Sequence, residues 1–195
     1  MFVGSRKEFI NKYGAFIHKV TAGTGILPGT LIAQAFLESS GNGNVGGSKL
    51  SREANNFFGI KCGPNWKGAK YYINTKEYGQ NGAYYVKACF RKYNSVEDSI
   101  KDYVNFLQVN NRYTTAGVFD ATNVKEQAEA LKRGGYATSP NYASLVYEVY
   151  KPYALLIEEQ KTLMAKFDPK RIFGVLLLAI SATLIEKIVR KRRKS

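Results

Sequence analysis

Apolar side chains recur at helical intervals near the start of the chain, where Phe9, Ile10, Tyr13, Phe16, Ile17 and Val20 fall on one stripe. That spacing predicts an amphipathic helix. Ser5 and Glu8 stand ahead of it at capping-box spacing, and the helix should end before Gly23. A second stripe of Leu31, Ile32, Ala35 and Phe36 predicts a helix from Pro28, whose missing N–H is harmless in a first turn, to about Ser39. Gly41 is its stop. Residues 41–56, rich in glycine and asparagine, read as loop. Tyr71–Thr75 and Tyr84–Tyr93 favour strands, and Gly79, Gln80, Asn81 and Gly82 between them supply the turn chemistry of a hairpin.

Helical spacing then returns. Ser95 caps a helix that carries Ile100, Tyr103, Val104 and Leu107 on one face. Asn123 and Glu126 open another that stops at Gly134 and Gly135. The next starts at Ser139 and Pro140, carries Tyr142, Leu145, Val146, Val149, Tyr150 and Tyr153, and should kink or end at Pro152. The expected class is α+β, mainly α, with a small β-hairpin lobe. Residues 1–160 form one globular domain and 161–171 a linker; 172–189 form a hydrophobic C-terminal helix and 190–195 a basic tail.

Ile172 to Ile185 is a run of fourteen uncharged residues. As a helix it spans only about 21 Å, but counting on to Val189 gives about 27 Å against the roughly 30 Å of a hydrocarbon core. Membrane anchoring is the favoured expectation, with an amphipathic or buried helix packed on the domain as its alternative. The heavier basic cluster follows the segment, which favours a cytoplasmic C-terminus and places the domain on the opposite side of the membrane. Met1 to Lys12 holds no apolar run of signal-peptide length, so no cleavable export signal is expected.

Charge sharpens the picture. The 195 residues carry 29 Lys and Arg against 15 Asp and Glu, a net +14. Residues 161–195 hold ten of those bases against Asp168 and Glu186, a net +8, so the body is only moderately basic. Such a balance points to a polyanionic partner: nucleic acid, an anionic membrane or an acidic wall polymer. Fourteen Tyr and eleven Phe supply flat faces of the kind that line grooves for sugars or single-stranded nucleic acid. No nucleic-acid motif accompanies them, and no specific nucleic-acid partner is expected. A single histidine, His18, lies within the first helical pattern, which suits a solvated or core-edge role rather than a triad. One histidine and two cysteines cannot build a histidine-rich metal site or a zinc finger, so neither metal nor cofactor is expected. Cys62 and Cys89 fit either free thiols or one bridge.

Among the carboxylates, Glu38 differs from those that a solvated helix face explains. It follows the apolar stretch Leu31 to Leu37, shares a stripe with Leu31 and Gln34, and precedes Ser39, Ser40 and Gly41. Partial burial and the negative end of the helix dipole both disfavour its anion, and a flexible loop leaves one side open to a ligand. Its pKa should be raised, as a general acid working near neutrality requires.

Six pieces in order carry a family resemblance: Ala33-Gln34-Ala35-Phe36-Leu37-Glu38-Ser39-Ser40-Gly41; Asn55-Asn56-Phe57-Phe58-Gly59-Ile60-Lys61; Trp66-Lys67-Gly68; Thr75-Lys76-Glu77-Tyr78; Phe90-Arg91-Lys92-Tyr93 with Ser99 and Asp102-Tyr103; and Gly135-Tyr136-Ala137-Thr138 with Pro140 and Tyr142. Over about residues 5–158 the chain resembles the bacterial and phage peptidoglycan glucosaminidases of glycoside hydrolase family 73. The resemblance implies a lysozyme-like fold and an endo-β-N-acetylglucosaminidase that cuts peptidoglycan glycan strands after N-acetylglucosamine. Glu38 falls on the general acid. Glu77 falls on the second carboxylate, carried on the hairpin across the groove as a base for water, a task the substrate's own acetamido group can also take. Tyr136 falls on the active-site tyrosine, whose phenol orients the acetamido group or stabilises charge at the anomeric centre. Asn55, Asn56 and Phe57 would line the groove near Glu38 or else serve as a helix cap and a core aromatic, and Trp66 would stack on a sugar or seal the lobe. Arg91 and Tyr93 are expected to be structural. Ser40 and the loop Gly41–Gly47 depart from the more compact glycine-aromatic-glycine turn that often follows the family's glutamate. The alternatives are a non-catalytic wall-binding module, a muramidase-type lysozyme activity, and, for location, a phage or prophage lysin made in the cytoplasm and released to the wall.

Overall fold

The computed structural model describes residues 1–79 and 82–166, with side chains described outside 75–85 and 163–166. The expected turn residues Gln80 and Asn81 and the expected helix over 172–189 lie outside the described residues. Helix α1 spans Arg6–Thr21 and opens with the expected capping box, in which the Ser5 Oγ accepts from the Glu8 N–H at 3.2 Å and Glu8 Oε2 accepts from the Ser5 N–H at 2.7 Å. Helix α2 spans Pro28–Ser39 with proline in its first turn, as predicted. Phe9 joins the two, its ring centroid 5.8 Å from Phe36 and 5.8 Å from Phe57.

The stretch expected to be loop over 41–56 contains a helix, α3, Lys49–Ala54. Ser48 caps it, and Asn55 ends it in the left-handed region at φ 49°. Six residues are fewer than two turns, too short for a hydrophobic period to register. The hairpin is longer than expected at its tip: strands β1 (Lys70–Gly79) and β2 (Gly82–Arg91) pair antiparallel from Lys70↔Arg91 to Gly79↔Gly82. Lys92 and Tyr93 fall outside the strand; the Tyr93 N–H donates instead to the Ala54 carbonyl at 2.8 Å, fixing the hairpin root to the end of α3. A disulfide between Cys62 and Cys89 secures the same root, so the cysteines are bridged rather than free.

Helix α4 spans Val96–Val109 and is capped by Ser95, as its sequence predicts. A short helix that the apolar pattern does not reveal, α5, covers Asn111–Thr115. Helix α6 spans Val124–Arg133 under the Asn123 cap, and α7 spans Tyr142–Tyr150, starting just beyond the expected Ser139 and Pro140. Pro152 sits in a single 3₁₀ turn over Lys151–Tyr153, after which α8 runs from Ala154 to Lys166. The kink is the one proline imposes. Helix α1 packs against α2, α4 and α8, while α7 packs against α2 and α6, so α2 lies at the heart of the domain. His18 is buried, and its Nε2 donates to the Ile157 carbonyl at 2.7 Å, tying α1 to α8. Among the described residues no helix is long and apolar enough to cross a membrane.

Candidate active site

Glu38 occupies the last turn of α2, half-buried, and makes no hydrogen bond or ion pair among the described residues. Burial pushes its carboxyl above the usual value of 4.5. One turn earlier on the same face, Gln34 is fully buried. Its Nε2 donates to the Tyr142 hydroxyl at 2.6 Å, and its Oε1 accepts from the Tyr103 hydroxyl. A polar residue on an apolar stripe is thereby satisfied on both sides, and in being satisfied it locks two tyrosines beneath the acid.

Tyr136 completes this floor. Its ring meets Tyr103 edge-on at 5.9 Å and Tyr142 tilted at 5.9 Å, and its hydroxyl donates to the Phe58 carbonyl at 2.9 Å. Gly135, at φ 75°, makes the turn that aims it there. Burial, and then the neighbouring phenols and the Glu38 charge, push the Tyr136 hydroxyl well above its ordinary pKa; it remains a neutral donor. Glu38 and Tyr136, distant in sequence, therefore stand in one electrostatic neighbourhood. Tyr103 and Tyr142 belong to it as well. The sequence signal for that shared role was Gln34, the one amide on the α2 stripe.

The segment from Asn55 to Ile60 forms the wall beside Glu38. Asn56 is fully buried: its Nδ2 donates to the Ile60 and Arg91 carbonyls, both at 2.9 Å, and its Oδ1 accepts from the Ile60 N–H at 3.1 Å. Phe57 is fully buried as well. Asn56 and Phe57 do not line a groove: they are interior and shape the loop, and Phe57 as a core aromatic with Asn55 as the cap that ends α3 match the other reading of this segment. Asn55 turns its Nδ2 to the Tyr93 carbonyl at 3.1 Å, and its Oδ1 is buried without a partner. What faces the acid is Gly59, at φ 64°, where a Cβ would lie 3.8 Å from Glu38 Oε2. The small residue keeps the space in front of the carboxyl open.

Glu77 lies on β1 in register with Tyr84, near the tip of the hairpin and far along the strand from the Lys70↔Arg91 root. Trp66 belongs to the root. Its Nε1 donates to the Ala69 carbonyl at 3.0 Å, its ring meets Tyr93 at 5.9 Å, and the Arg91 guanidinium covers it at 4.6 Å from the centroid. Of its two expected uses, these contacts match sealing of the lobe. Arg91 pairs with Asp102 at 2.8 Å, and the Tyr93 hydroxyl donates to the same carboxylate at 2.6 Å, a structural triad linking β2 to α4.

The loop after Glu38, expected to be flexible, is pinned. Gly4 and Val45 exchange backbone hydrogen bonds at 3.1 and 2.9 Å, and the Gly46 N–H donates to Ser39 Oγ at 3.0 Å. A side chain at Gly47 would put its Cβ 2.0 Å from the Gly41 carbonyl oxygen, so the tight packing demands glycine. No group of acidic, cysteine and histidine side chains suited to a metal ion occurs among the described residues.

The family model described as "Glucosaminidase: Mannosyl-glycoprotein endo-beta-N-acetylglucosaminidase" matches residues 14–155. The chain is 38% identical over 149 residues to peptidoglycan hydrolase FlgJ of Vibrio cholerae, covering 74% of this chain and 43% of that protein. It is 36% identical over 133 residues to exo-glucosaminidase LytG of Bacillus subtilis, covering 67% of this chain and 45% of that protein. The chain thus spans less than half the length of these two relatives. Among solved structures, the catalytic domain of the autolysin Auto from Listeria monocytogenes superposes with a TM-score of 0.65 at 30% identity, covering 77% of this chain and 85% of that one. The glycoside hydrolase domain of Salmonella typhimurium FlgJ superposes with a TM-score of 0.61 at 32% identity, covering 84% and 98%. The mainly helical body with its small two-stranded sheet is consistent with the expected lysozyme-like fold. The match takes in the acid-bearing helix, the hairpin and the tyrosine floor, and this chain belongs to the glucosaminidase family, glycoside hydrolase family 73.

Proposed function

We propose that the protein hydrolyses the β-1,4 bond that follows N-acetylglucosamine in peptidoglycan glycan strands, as an endo-acting enzyme, with Glu38 as general acid. The observation that carries this reading is a half-buried, unpaired carboxyl held toward its protonated form beside an open glycine wall. Such a group donates its proton to the leaving glycosidic oxygen while positive charge develops at the anomeric carbon. Tyr136, neutral and part of the floor, orients the acetamido group or stabilises that charge. Glu77 is the second carboxylate and activates water from the hairpin. The test is Glu38→Gln, which keeps the side-chain volume and removes the proton: turnover of purified peptidoglycan should fall at least about a hundredfold with wall binding retained. Retention of more than about a tenth of wild-type turnover rules the assignment out.

The proposed location is the wall side of a bacterial membrane. A disulfide at the hairpin root suits an oxidising compartment, and the uncharged run Ile172 to Ile185 between basic flanks suits membrane attachment. A phage or prophage lysin released to the wall is the alternative the same disulfide accommodates.

A further inference from the structure

A surface cavity of about 500 Å³ is lined by Asn111, Arg112, Thr115, Ala116, Arg133 and Gly134. It contains two arginines and no acid. Both arginines are held by neutral acceptors: Arg112 Nη2 donates to the Tyr113 hydroxyl at 2.6 Å, and Arg133 Nη2 donates to the Ala116 carbonyl at 3.0 Å. Neither makes an ion pair among the described residues, where the ion pairs are Arg91–Asp102 and Lys101–Asp98. Each guanidinium has five N–H donors, so most remain unspent. The C-terminus of α6 brings about half a negative charge to this region, which two full positive charges outweigh.

The cavity adjoins the active-site floor. Gly134 lines it and packs on buried Tyr113, where an added Cβ would lie 2.7 Å from the ring. A Cβ on Gly135 would lie 3.6 Å from Arg112 Nη1. Tyr136 is the next residue, so the cavity wall and the floor beneath Glu38 are separated by two peptide units, at most about 7.6 Å between Cα atoms. Three extended residues, as in a peptide stem, span about 10 Å.

We infer that Arg112 and Arg133 form a carboxylate-binding subsite for the peptide stem carried by N-acetylmuramic acid, making stem charge a determinant of substrate choice. The inference rests on the peptidoglycan reading above. Arginine forks match carboxylates in two parallel hydrogen bonds, and two of them in one cavity select an anionic stem over an amidated one.

The test is a binding titration of the full chain with an N-acetylmuramyl peptide, which contains no glycosidic bond to cut, in two forms: free stem carboxylates and the same carboxylates amidated. At low salt the free form should bind about tenfold more tightly or better, with the margin shrinking as salt rises. Arg112→Gln/Arg133→Gln should abolish the margin, and Arg112→Lys/Arg133→Lys should restore part of it. Where the double variant does not fold, the single variants Arg112→Gln and Arg133→Gln carry the test: each should narrow the margin, and a margin unchanged in both overturns the subsite, because a chain of net +14 favours an anionic stem even without one. Equal affinity for the two forms overturns the subsite, as does saturation of the cavity by a phosphate-bearing wall polymer without discrimination between stems. A protein that discriminates stems but cleaves no glycan keeps the subsite and loses the enzymatic reading; one that cleaves glycan and binds both forms alike does the reverse.

Discussion

On the proposed reading Glu38 works as an acid only while it holds its proton, and burial extends the range of pH over which it does so. Turnover limited by this group should fall as pH rises through its raised pKa, and a pH–kcat profile reads that limb directly. Stability carries the same signature with a definite sign. Above the usual 4.5 the folded state binds more protons at Glu38 than the unfolded chain, so the wild type loses stability relative to Glu38→Gln as pH rises through that window. Thermal melts of the two proteins should diverge in favour of Glu38→Gln on going from below pH 4.5 to neutrality; parallel curves contradict a buried acid. Tyr136→Phe removes the donor to the Phe58 carbonyl, costing about 1 kcal/mol of stability, and should lower kcat more than it raises KM. Normal turnover in that variant would leave Tyr136 a structural residue. At this scale Glu38 was legible because helix spacing alone puts it one turn beyond Gln34. The interior role of Asn56 was not, because its carbonyl partner at Arg91 is 35 residues away and contacts at that range leave no local pattern.

Among the elements, the hairpin depends most on its root. The Cys62–Cys89 bridge closes a loop with a sequence separation of 27, for which chain entropy assigns about 3–4 kcal/mol. Cys62→Ala/Cys89→Ala should lose stability of that order in chemical denaturation, and reduction of the wild type should do the same; a loss under about 1 kcal/mol contradicts a loop-closing role. The loop after α2 offers a second test. A Cβ at Gly47 has no room beside the Gly41 carbonyl, so Gly47→Ala should lower the melting temperature by several degrees and, by displacing the end of α2, reduce turnover. The long helices announced themselves through their caps and stripes. Helices α3 and α5, of six and five residues, did not, since neither presents two turns of apolar spacing; α3 is held by tertiary hydrogen bonds such as that from Ser51 Oγ to the Ser39 carbonyl, and α5 by the burial of Tyr113. The hairpin tip was missed for a related reason: pairing there follows from register propagated along the ladder, not from strand propensity at Lys76 and Glu77.

The molecule as a whole carries a net +14 and meets, on the proposed reading, an anionic wall. Cosedimentation with peptidoglycan should weaken steadily across a salt series, because exposed charges are screened over about 8 Å at physiological ionic strength. The proposed membrane attachment through 172–189 predicts that the full chain resists carbonate extraction from membranes, whereas a chain ending at Lys166 remains in the supernatant and still cleaves peptidoglycan. The most direct test of the central claim is mass analysis of the fragments released from purified peptidoglycan after reduction of their new ends. Cleavage after N-acetylglucosamine predicts reduced N-acetylglucosamine at those ends, at a yield that Glu38→Gln abolishes; reduced N-acetylmuramic acid there, or no new ends at all, contradicts it.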